Sequence, residues 1–184
     1  MERKQLLKWK GSFGDAYLKR NQYDPIKRRR DFNKIIPQDV GNALEVGASY
    51  GNNIQTLWSM NIMALGIEPN KKALEQAFKL CRPVIEGTAY DLPFKDGAFD
   101  LVFTCGVLEH IPPKNLQKAM DEIWRVSNHY VLAIEYQGNG EAINYRGNKD
   151  MLWKRRAYPY PGKCIKSGLL RNAFDRSTFW LYEK

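Results

Sequence analysis

The stretch ALEVGASYGNNI, residues 43–54, decides the fold class of this chain. It starts as an apolar strand, carries a lone glutamate, Glu45, and breaks into small residues before a helical run resumes. Gly47 and Gly51 have no Cβ atom, so the backbone can take a positive φ angle and a ligand can approach it closely. Such a turn after a strand is typical of the ligand-binding edge of an open α/β sheet. An ordinary tight turn uses the same residues, and the GxGxxG spacing of dinucleotide-binding proteins is absent.

Strands and helices alternate around this turn. Apolar runs predict strands at 42–46, 62–68, 83–87, 100–105 and 129–136, and helical spacing predicts helices at 52–60, 71–81 and 113–127. A further helix is predicted to begin at Pro25 and to stop before Pro37. Asn70 is a predicted N-cap. The buried face of the 52–60 helix would consist of Ile54, Leu57 and Trp58.

Strands that are apolar almost throughout are typical of a parallel sheet covered by helices on both faces. The segments KCIKSGLL and STFWLYEK, residues 163–170 and 177–184, would add an antiparallel hairpin at the C-terminus. We therefore expect an α/β fold with a mostly parallel sheet. A length of 184 residues suggests a single domain.

The composition favours acidic partners without choosing among them. The formal net charge is +9, and part of it lies in the clusters KRRRD (27–31) and WKRR (153–156). We interpret these clusters as solvated faces in preference to a nucleic-acid patch. Three separated cysteines without a CxxC pair favour neither a disulfide framework nor a zinc site. With no signal peptide or membrane-spanning segment in the sequence, we expect a cytoplasmic protein.

An acidic residue strengthens the case for a ligand. Glu68, in LGIEPN, ends the second predicted strand and lies 21 residues after Gly47. An acidic side chain at this place is suited to accept hydrogen bonds from ribose hydroxyls. A surface glutamate on a loop is the alternative, but the glycine turn and Glu68 together favour the ligand.

Three segments carry a resemblance to a known family. LEVGASYG, GIEP and LPFKDGAFDLVFTCGVLEHI together resemble the class I S-adenosylmethionine-dependent methyltransferases, and the likeness covers residues 42 to about 135. WKGSFGDAYLKRN (9–21), INYRGN and TFWLYEK resemble the methylases associated with pseudaminic acid biosynthesis, a sugar-pathway group. The resemblance implies a Rossmann-like methyltransferase domain over residues 1–184. Within it we expect a helical lid segment at 1–40, a cofactor-binding core at 41–136 and a substrate-side segment at 137–184.

The resemblance implies S-adenosyl-L-methionine as the cofactor, with S-adenosyl-L-homocysteine as its product. Glu45 would face the methionine amino group, Glu68 would bind the ribose hydroxyls, and Pro69 would lie against adenine. The other implied cofactor residues are Gly47, Ala48, Ser49 and Gly51 under methionine and ribose, Thr88 and Ala89 at the adenine edge, Cys105, Gly106 and Val107 along the sulfonium, and Phe13, Tyr17 and Asn21 in the lid.

Two of these positions depart from the family pattern. The family often has aspartate where this chain has Thr88, and frequently has glycine where it has Ser49. The first departure would weaken adenine binding or shift it to backbone amides. The segment between Lys154 and Leu169 also looks shortened relative to the sugar-pathway group, which affects the substrate pocket.

His110 is the candidate base, because it follows the fourth strand and an unperturbed histidine has a pKa near about 6.5. A histidine that packs in a loop is the alternative. Tyr145 is the second candidate catalytic residue, and Glu109 is interpreted as a surface or capping group. The candidate substrate-binding residues are Arg20 in the lid, Glu135 at the end of the fifth strand, and Asn144 and Arg146 in the polar run EAINYRGN.

We expect a methyltransferase that acts on a small, anionic acceptor, a sugar or nucleotide-linked sugar with an oxygen nucleophile. A nucleic-acid methyltransferase is the alternative that the charge suggests. Amino-methylating enzymes of that kind carry an Asn/Asp-Pro-Pro-aromatic motif, whereas this chain has CGVLEH and IPPK there. A third alternative is a non-catalytic protein that binds the cofactor, since a fold alone does not establish activity.

Overall fold

The computed structural model describes residues 2–20, 25–170 and 176–184. In this part of the chain a seven-stranded sheet has the order β3-β2-β1-β4-β5-β9-β8. Strands β1 to β5 are parallel, and β9 lies antiparallel between β5 and β8. The sheet strands are β1 Asn42–Val46, β2 Met63–Glu68, β3 Val84–Glu86, β4 Phe99–Cys105, β5 Ser127–Glu135, β8 Lys163–Leu169 and β9 Thr178–Glu183.

Helices cover both faces of the sheet, which confirms the predicted fold class. The helices are α1 Glu2–Lys10, α2 Ser12–Arg20, α3 Pro25–Ile35, α4 Asn52–Trp58, α5 Lys71–Lys79 and α6 Pro113–Val126. Side chains of β4 alternate between two cores. Phe103 packs in the core that contains α3 and α4, and Val102 packs in the core that contains α6. The C-terminal antiparallel pair is β8 with β9, as predicted.

The helix α4 ends earlier than predicted, which changes the place of one aromatic residue. Ile54 and Leu57 are fully buried, as expected, but Trp58 is the last helical residue and is 44% exposed. Its indole Nε1 donates to the carbonyl oxygen of Ala64 at 3.2 Å, so the ring covers the start of β2 instead of filling the core. The prediction that Trp58 belongs to the buried face was therefore wrong.

The polar segment after β5 contains a second sheet that the sequence pattern did not reveal. Strands β6 Ala142–Tyr145 and β7 Asn148–Trp153 pair antiparallel. Arg146 and Gly147 connect them with φ angles of 52° and 77°. Positive φ at both central residues is the geometry of a tight two-residue hairpin turn, which glycine favours. The hairpin places Tyr145 near the carboxyl edge of the main sheet, where it lines the cavity described below.

Asn70 caps α5 as predicted, because its side-chain oxygen accepts a hydrogen bond from the amide of Ala73 at 2.9 Å. Over the described residues, no helix combines the length and apolar character that crossing a membrane requires.

Candidate functional site

A cavity of about 440 Å³ lies at the carboxyl ends of β1, β2 and β4, under the N-terminal helices. It is the size of a small-molecule site. Most of the predicted site residues line it: Tyr17, Glu45, Gly47, Ala48, Ser49, Glu68, Pro69, Thr88, Ala89, Cys105, Gly106, Val107, His110 and Tyr145.

The turn after β1 is fixed by its own backbone. The amides of Gly47 and Ala48 both donate to the carbonyl oxygen of Ile67, at 2.8 and 3.0 Å. Gly47 has a φ of 79°, and a Cβ atom there would lie 2.4 Å from a methyl group of Val107. Ser49 also has a positive φ, 51°, a value that glycine adopts without strain. The glycine at 47 is therefore required by the loop after β4, which packs directly against this turn.

Glu68 is held at the cavity wall by backbone amides. Its Oε2 accepts from the amide of Ser49 at 2.8 Å and its Oε1 from the amide of Asn70 at 2.9 Å. Burial raises the pKa of this carboxyl, and the two hydrogen bonds act against that rise. Each carboxylate oxygen keeps a further lone pair, so the group can still accept from a pair of ligand hydroxyls.

Glu45 is only 2% exposed and presents an acceptor to the cavity. Asn53 donates to its Oε1 at 2.5 Å, whereas its Oε2 has no hydrogen-bond partner among the described residues. Burial raises the pKa of Glu45 to about 8, although Asn53 and Arg28 oppose the rise. A buried acceptor without a partner is rare in native proteins, and an ammonium group of a ligand would satisfy it.

His110 is a buried, neutral imidazole on the cavity wall. Its Nδ1 lies 2.5 Å from the carbonyl oxygen of Met151. A carbonyl can only accept, so Nδ1 carries the proton and Nε2 keeps a free lone pair. Burial lowers the pKa of His110 to about 4. The ring packs against Trp9 and Tyr145, with centroid distances of 4.7 and 5.2 Å.

Two buried carboxyl groups hold the loop that carries His110. Glu135 accepts from the amides of Val107 and Glu109 at 2.9 and 3.2 Å, and Glu109 accepts from the amide of Tyr136 at 2.5 Å. Burial raises the pKa of both carboxyls, and their mutual repulsion adds to the rise for Glu109. Glu135 is fully buried and does not line the cavity, and its contact with substrate stays a prediction. Of the two expectations for Glu109, a surface or a capping group, the first does not hold, because the side chain is 2% exposed.

Arg155 holds the same loop from the other side. Its guanidinium donates to the carbonyl oxygens of Leu108 and Ile111 at 2.7 and 2.6 Å. In the sequence this arginine belongs to the basic cluster WKRR, which we interpreted as a solvated face. Its contact with the loop was not predicted. The carbonyls that it meets are 44 residues or more away in the chain, so no local pattern marks its role.

Helices α1 and α2 cover the cavity. Asn70 donates to the carbonyl oxygen of Trp9 at 2.9 Å and to Asp15 Oδ1 at 3.1 Å, and Lys72 pairs with Asp15 at 2.7 Å. The side chain of Gln5 donates to the carbonyl oxygen of His110. Trp9 lines the cavity, a contact that the sequence analysis did not assign. The helices are thus tied to both the cofactor edge of the sheet and the His110 loop.

Some predicted site residues do not line the cavity. Gly51, with a φ of 78°, caps α4 behind the turn. Phe13 packs behind the cavity wall, 5.1 Å from Trp9 and 5.9 Å from Tyr145 in ring-centroid distance. Arg20 is exposed beside Phe13. Asn21 lies outside the described residues.

The hairpin explains two further corrections. Neighbouring side chains on a strand point to opposite sides, so Asn144 and Arg146 are exposed where Tyr145 faces the cavity. The predicted substrate contacts of Asn144 and Arg146 are therefore not part of the cavity wall.

Known proteins share this fold and part of this sequence. Residues 44–129 match the methyltransferase domain family. An uncharacterized protein of Methanocaldococcus jannaschii is 33% identical over 115 residues, which are 62% of this chain and 44% of that protein. The chain thus spans less than half the length of this curated relative.

Solved structures extend the likeness to most of the chain. The PH0226 protein of Pyrococcus horikoshii has a TM-score of 0.71 at 15% identity, over 86% of this chain and 88% of that one. A SAM-dependent methyltransferase of Archaeoglobus fulgidus has a TM-score of 0.69 at 12% identity, over 94% of this chain and 100% of that one. At such low identities the likeness is one of fold.

The donor set fits the cofactor of that family. The open Glu45 oxygen suits the ammonium of a methionine moiety, and the Glu68 carboxylate suits a pair of ribose hydroxyls. The sequence match over residues 44–129 and the shared fold support a methyltransferase domain there, for which the cofactor is S-adenosyl-L-methionine.

Proposed function

We propose that the whole chain, residues 1–184, is one methyltransferase that transfers a methyl group to a hydroxyl of a small acceptor, a sugar or nucleotide-linked sugar. The observation that carries this proposal is the free Nε2 of His110 on the cavity wall. A hydroxyl must lose its proton when it is methylated, and a neutral imidazole within reach can accept that proton.

In this proposal His110 is the base. When bound, S-adenosyl-L-methionine supplies a methyl group on a positively charged sulfur. When the acceptor hydroxyl is methylated, Nε2 of His110 would accept its proton. The low pKa of His110 keeps the imidazole neutral throughout the physiological range. Glu109 Oε1 lies 3.7 Å from Nε2, beside the position that this proton would take.

Features around His110 support a small acceptor. Trp9 and Tyr145 supply apolar ring faces with polar edges beside Nε2, a mixture that is common in small-molecule sites. Helices α1 and α2 lie across the cavity, so a polynucleotide would have to displace them before a base could enter. The resemblance of residues 9–21, 143–148 and 178–184 to the sugar-pathway methylases supports a sugar.

The test separates cofactor binding from chemistry. His110→Asn keeps a donor for the Met151 carbonyl and removes Nε2. We expect S-adenosyl-L-homocysteine to bind this variant within about threefold of wild type by calorimetry, and methyl transfer to sugars to fall at least about a hundredfold. His129→Asn, at an exposed position, is the matched control.

Two results would overturn the proposal. Undiminished turnover in His110→Asn would remove the base from the mechanism. Cofactor binding without turnover on glycosides, sugar phosphates or nucleotide sugars would favour a non-catalytic binding protein. Salt-sensitive binding of RNA or DNA would instead revive the nucleic-acid alternative.

A further inference from the structure

We propose that a second pocket beside the cavity, built on Lys154 and Arg176, binds an oxyanion of the acceptor, a phosphate or a carboxylate. The inference rests on the proposed function, because it assigns the part of the acceptor that lies away from the reacting hydroxyl. The pocket is lined by Tyr136, Gln137, Lys154, Leu169, Arg176 and Thr178.

The two pockets share a wall and lie side by side. Tyr136 lines both the cavity and the second pocket. Ser177 lines the cavity, while its neighbours Arg176 and Thr178 line the second pocket. An acceptor with its hydroxyl near His110 can therefore extend past Tyr136 and the start of β9 into the second pocket.

The charge of this pocket selects an anion. Its described lining contains two cations, Lys154 and Arg176, and no carboxylate. The Lys154 ammonium lies 4.9 Å from the centre of the Tyr136 ring, which restricts it to the shared wall. Within the described residues neither cation forms an ion pair with an acidic side chain. A guanidinium and an ammonium at one site are the groups that proteins use for phosphate and carboxylate.

The backbone conformation at Arg176 helps to determine which pocket each neighbouring side chain faces. Arg176 has a φ of 61°, a left-handed conformation that non-glycine residues seldom adopt. Such backbone outliers cluster at ligand-binding sites. This turn directly precedes Ser177 and β9, and side chains of successive residues face alternate pockets there.

Two neutral side chains brace the rim of the second pocket. The Thr178 hydroxyl donates to Gln137 Oε1 at 3.3 Å, and Gln137 Nε2 donates to the carbonyl oxygen of Arg156 at 3.0 Å. Gln137 is thus fixed at the rim. Lys154 is half-buried and Arg176 is exposed, which suits a charged group that keeps part of its hydration. We thus assign the anion site, which the sequence predicted at Arg146, to Lys154 and Arg176 instead.

The experiment compares two double variants that remove the same charge. Lys154→Gln with Arg176→Gln removes the proposed site, and Lys149→Gln with Arg29→Gln removes two exposed cations elsewhere. Each protein, saturated with S-adenosyl-L-homocysteine, is titrated at constant ionic strength with glucose 1-phosphate, glucuronate and methyl glucoside. The first two probes distinguish a phosphate from a carboxylate, and the third carries no charge.

We expect at least one anionic probe to bind wild type and the control variant at least tenfold more tightly than methyl glucoside. This preference should disappear in the Lys154/Arg176 variant, while its affinity for S-adenosyl-L-homocysteine stays unchanged. Equal binding of charged and neutral probes, unchanged anion binding in that variant, or no anion binding at all would overturn the subsite. Failure of wild type to bind S-adenosyl-L-homocysteine would instead count against the proposed function.

Discussion

The cofactor side and the covered side of the cavity are built in different ways. On the cofactor side, backbone groups at the strand ends hold the site in place, as the amides that donate to Ile67 and Glu68 show. On the covered side, side chains from distant segments meet, as Trp9, His110 and Tyr145 do. A site that is fixed by local backbone can therefore be predicted from short motifs, whereas a site that is assembled by long-range packing cannot.

The largest effect should come from filling the space at Gly47. In Gly47→Ala the new methyl group would lie 2.4 Å from a Val107 methyl, at a φ of 79°. Overpacking and the left-handed backbone should together lower the free energy of unfolding by about 3 kcal/mol. Gly140→Ala is the matched control, because its φ is 92° but no atom lies within 4 Å of the added Cβ. Urea denaturation of both variants measures the difference.

We expect Gly140→Ala to lose only the backbone part, about 1 kcal/mol. Equal losses in the two variants would mean that Val107 moves aside without cost. The tight packing between the first turn and the loop after β4 would then not distinguish the cofactor side from the covered side.

The fold was predictable because its signals are local. Strand β1 was predicted at its observed bounds, and the strands on either side of it differ by one or two residues. Runs such as residues 100–105 are apolar because both faces of the strand are buried, and that burial is visible in the sequence. The hairpin β6–β7 was missed, since its polar strands and its Arg146–Gly147 turn lack a strong apolar alternation.

The site was predictable only where it depends on the main chain. Residues next to the strand ends, such as Glu45 and Glu68, reach the cavity through the sheet itself. Arg155 could not be found, because its role depends on carbonyl groups of a distant loop. The contacts of Glu135 could not be found for the same reason, since three-dimensional packing brings its carboxyl to loop amides. The roles assigned to the cavity residues stay predictions until the variants are measured.

The next prediction concerns the proton that Glu45 should release when the cofactor binds. Its pKa in the folded protein is about 8, above the ordinary value of 4.5, so the carboxyl is mostly protonated at pH 7. A ligand ammonium beside its open oxygen would favour the charged form. Binding of S-adenosyl-L-methionine at pH 7 should therefore release close to one proton, measured by calorimetry in buffers of different ionisation enthalpy. Glu45→Gln should release none and bind roughly ten- to a hundredfold more weakly.

The same shift has a consequence for stability without ligand. Because the pKa of Glu45 is raised on folding, its contribution to stability is complete below about pH 4.5 and is lost as the pH rises toward about 8. Glu45→Gln should flatten this part of the pH profile, and the exposed Glu86→Gln should not. Binding without proton release in wild type would show that the cofactor side meets its ligand through backbone groups alone.

The smallest expected effect concerns the hydrogen bonds of Asn70, which connect the cofactor side of the cavity to the helices on the covered side. Asn70 accepts from the amide of Ala73 and donates to the carbonyl oxygen of Trp9 and to Asp15. Asn70→Asp keeps the acceptor that caps α5 and loses both donors. We expect global stability to change little, hydrogen exchange in α1 and α2 to rise, and affinity for S-adenosyl-L-homocysteine to fall about fivefold, the value of one hydrogen bond.

A double variant that exchanges the two side chains tests whether loss of these hydrogen bonds causes the changes in hydrogen exchange and affinity. Asp15→Asn combined with Asn70→Asp restores a donor–acceptor pair in reverse and removes the repulsion between two carboxylates. Because Asp15 also pairs with Lys72, we expect the swap to recover part of the protection against exchange and part of the affinity. Unchanged exchange and affinity in Asn70→Asp would mean that contacts such as Gln5 with the His110 loop hold the helices. The covered side would then close independently of the cofactor edge.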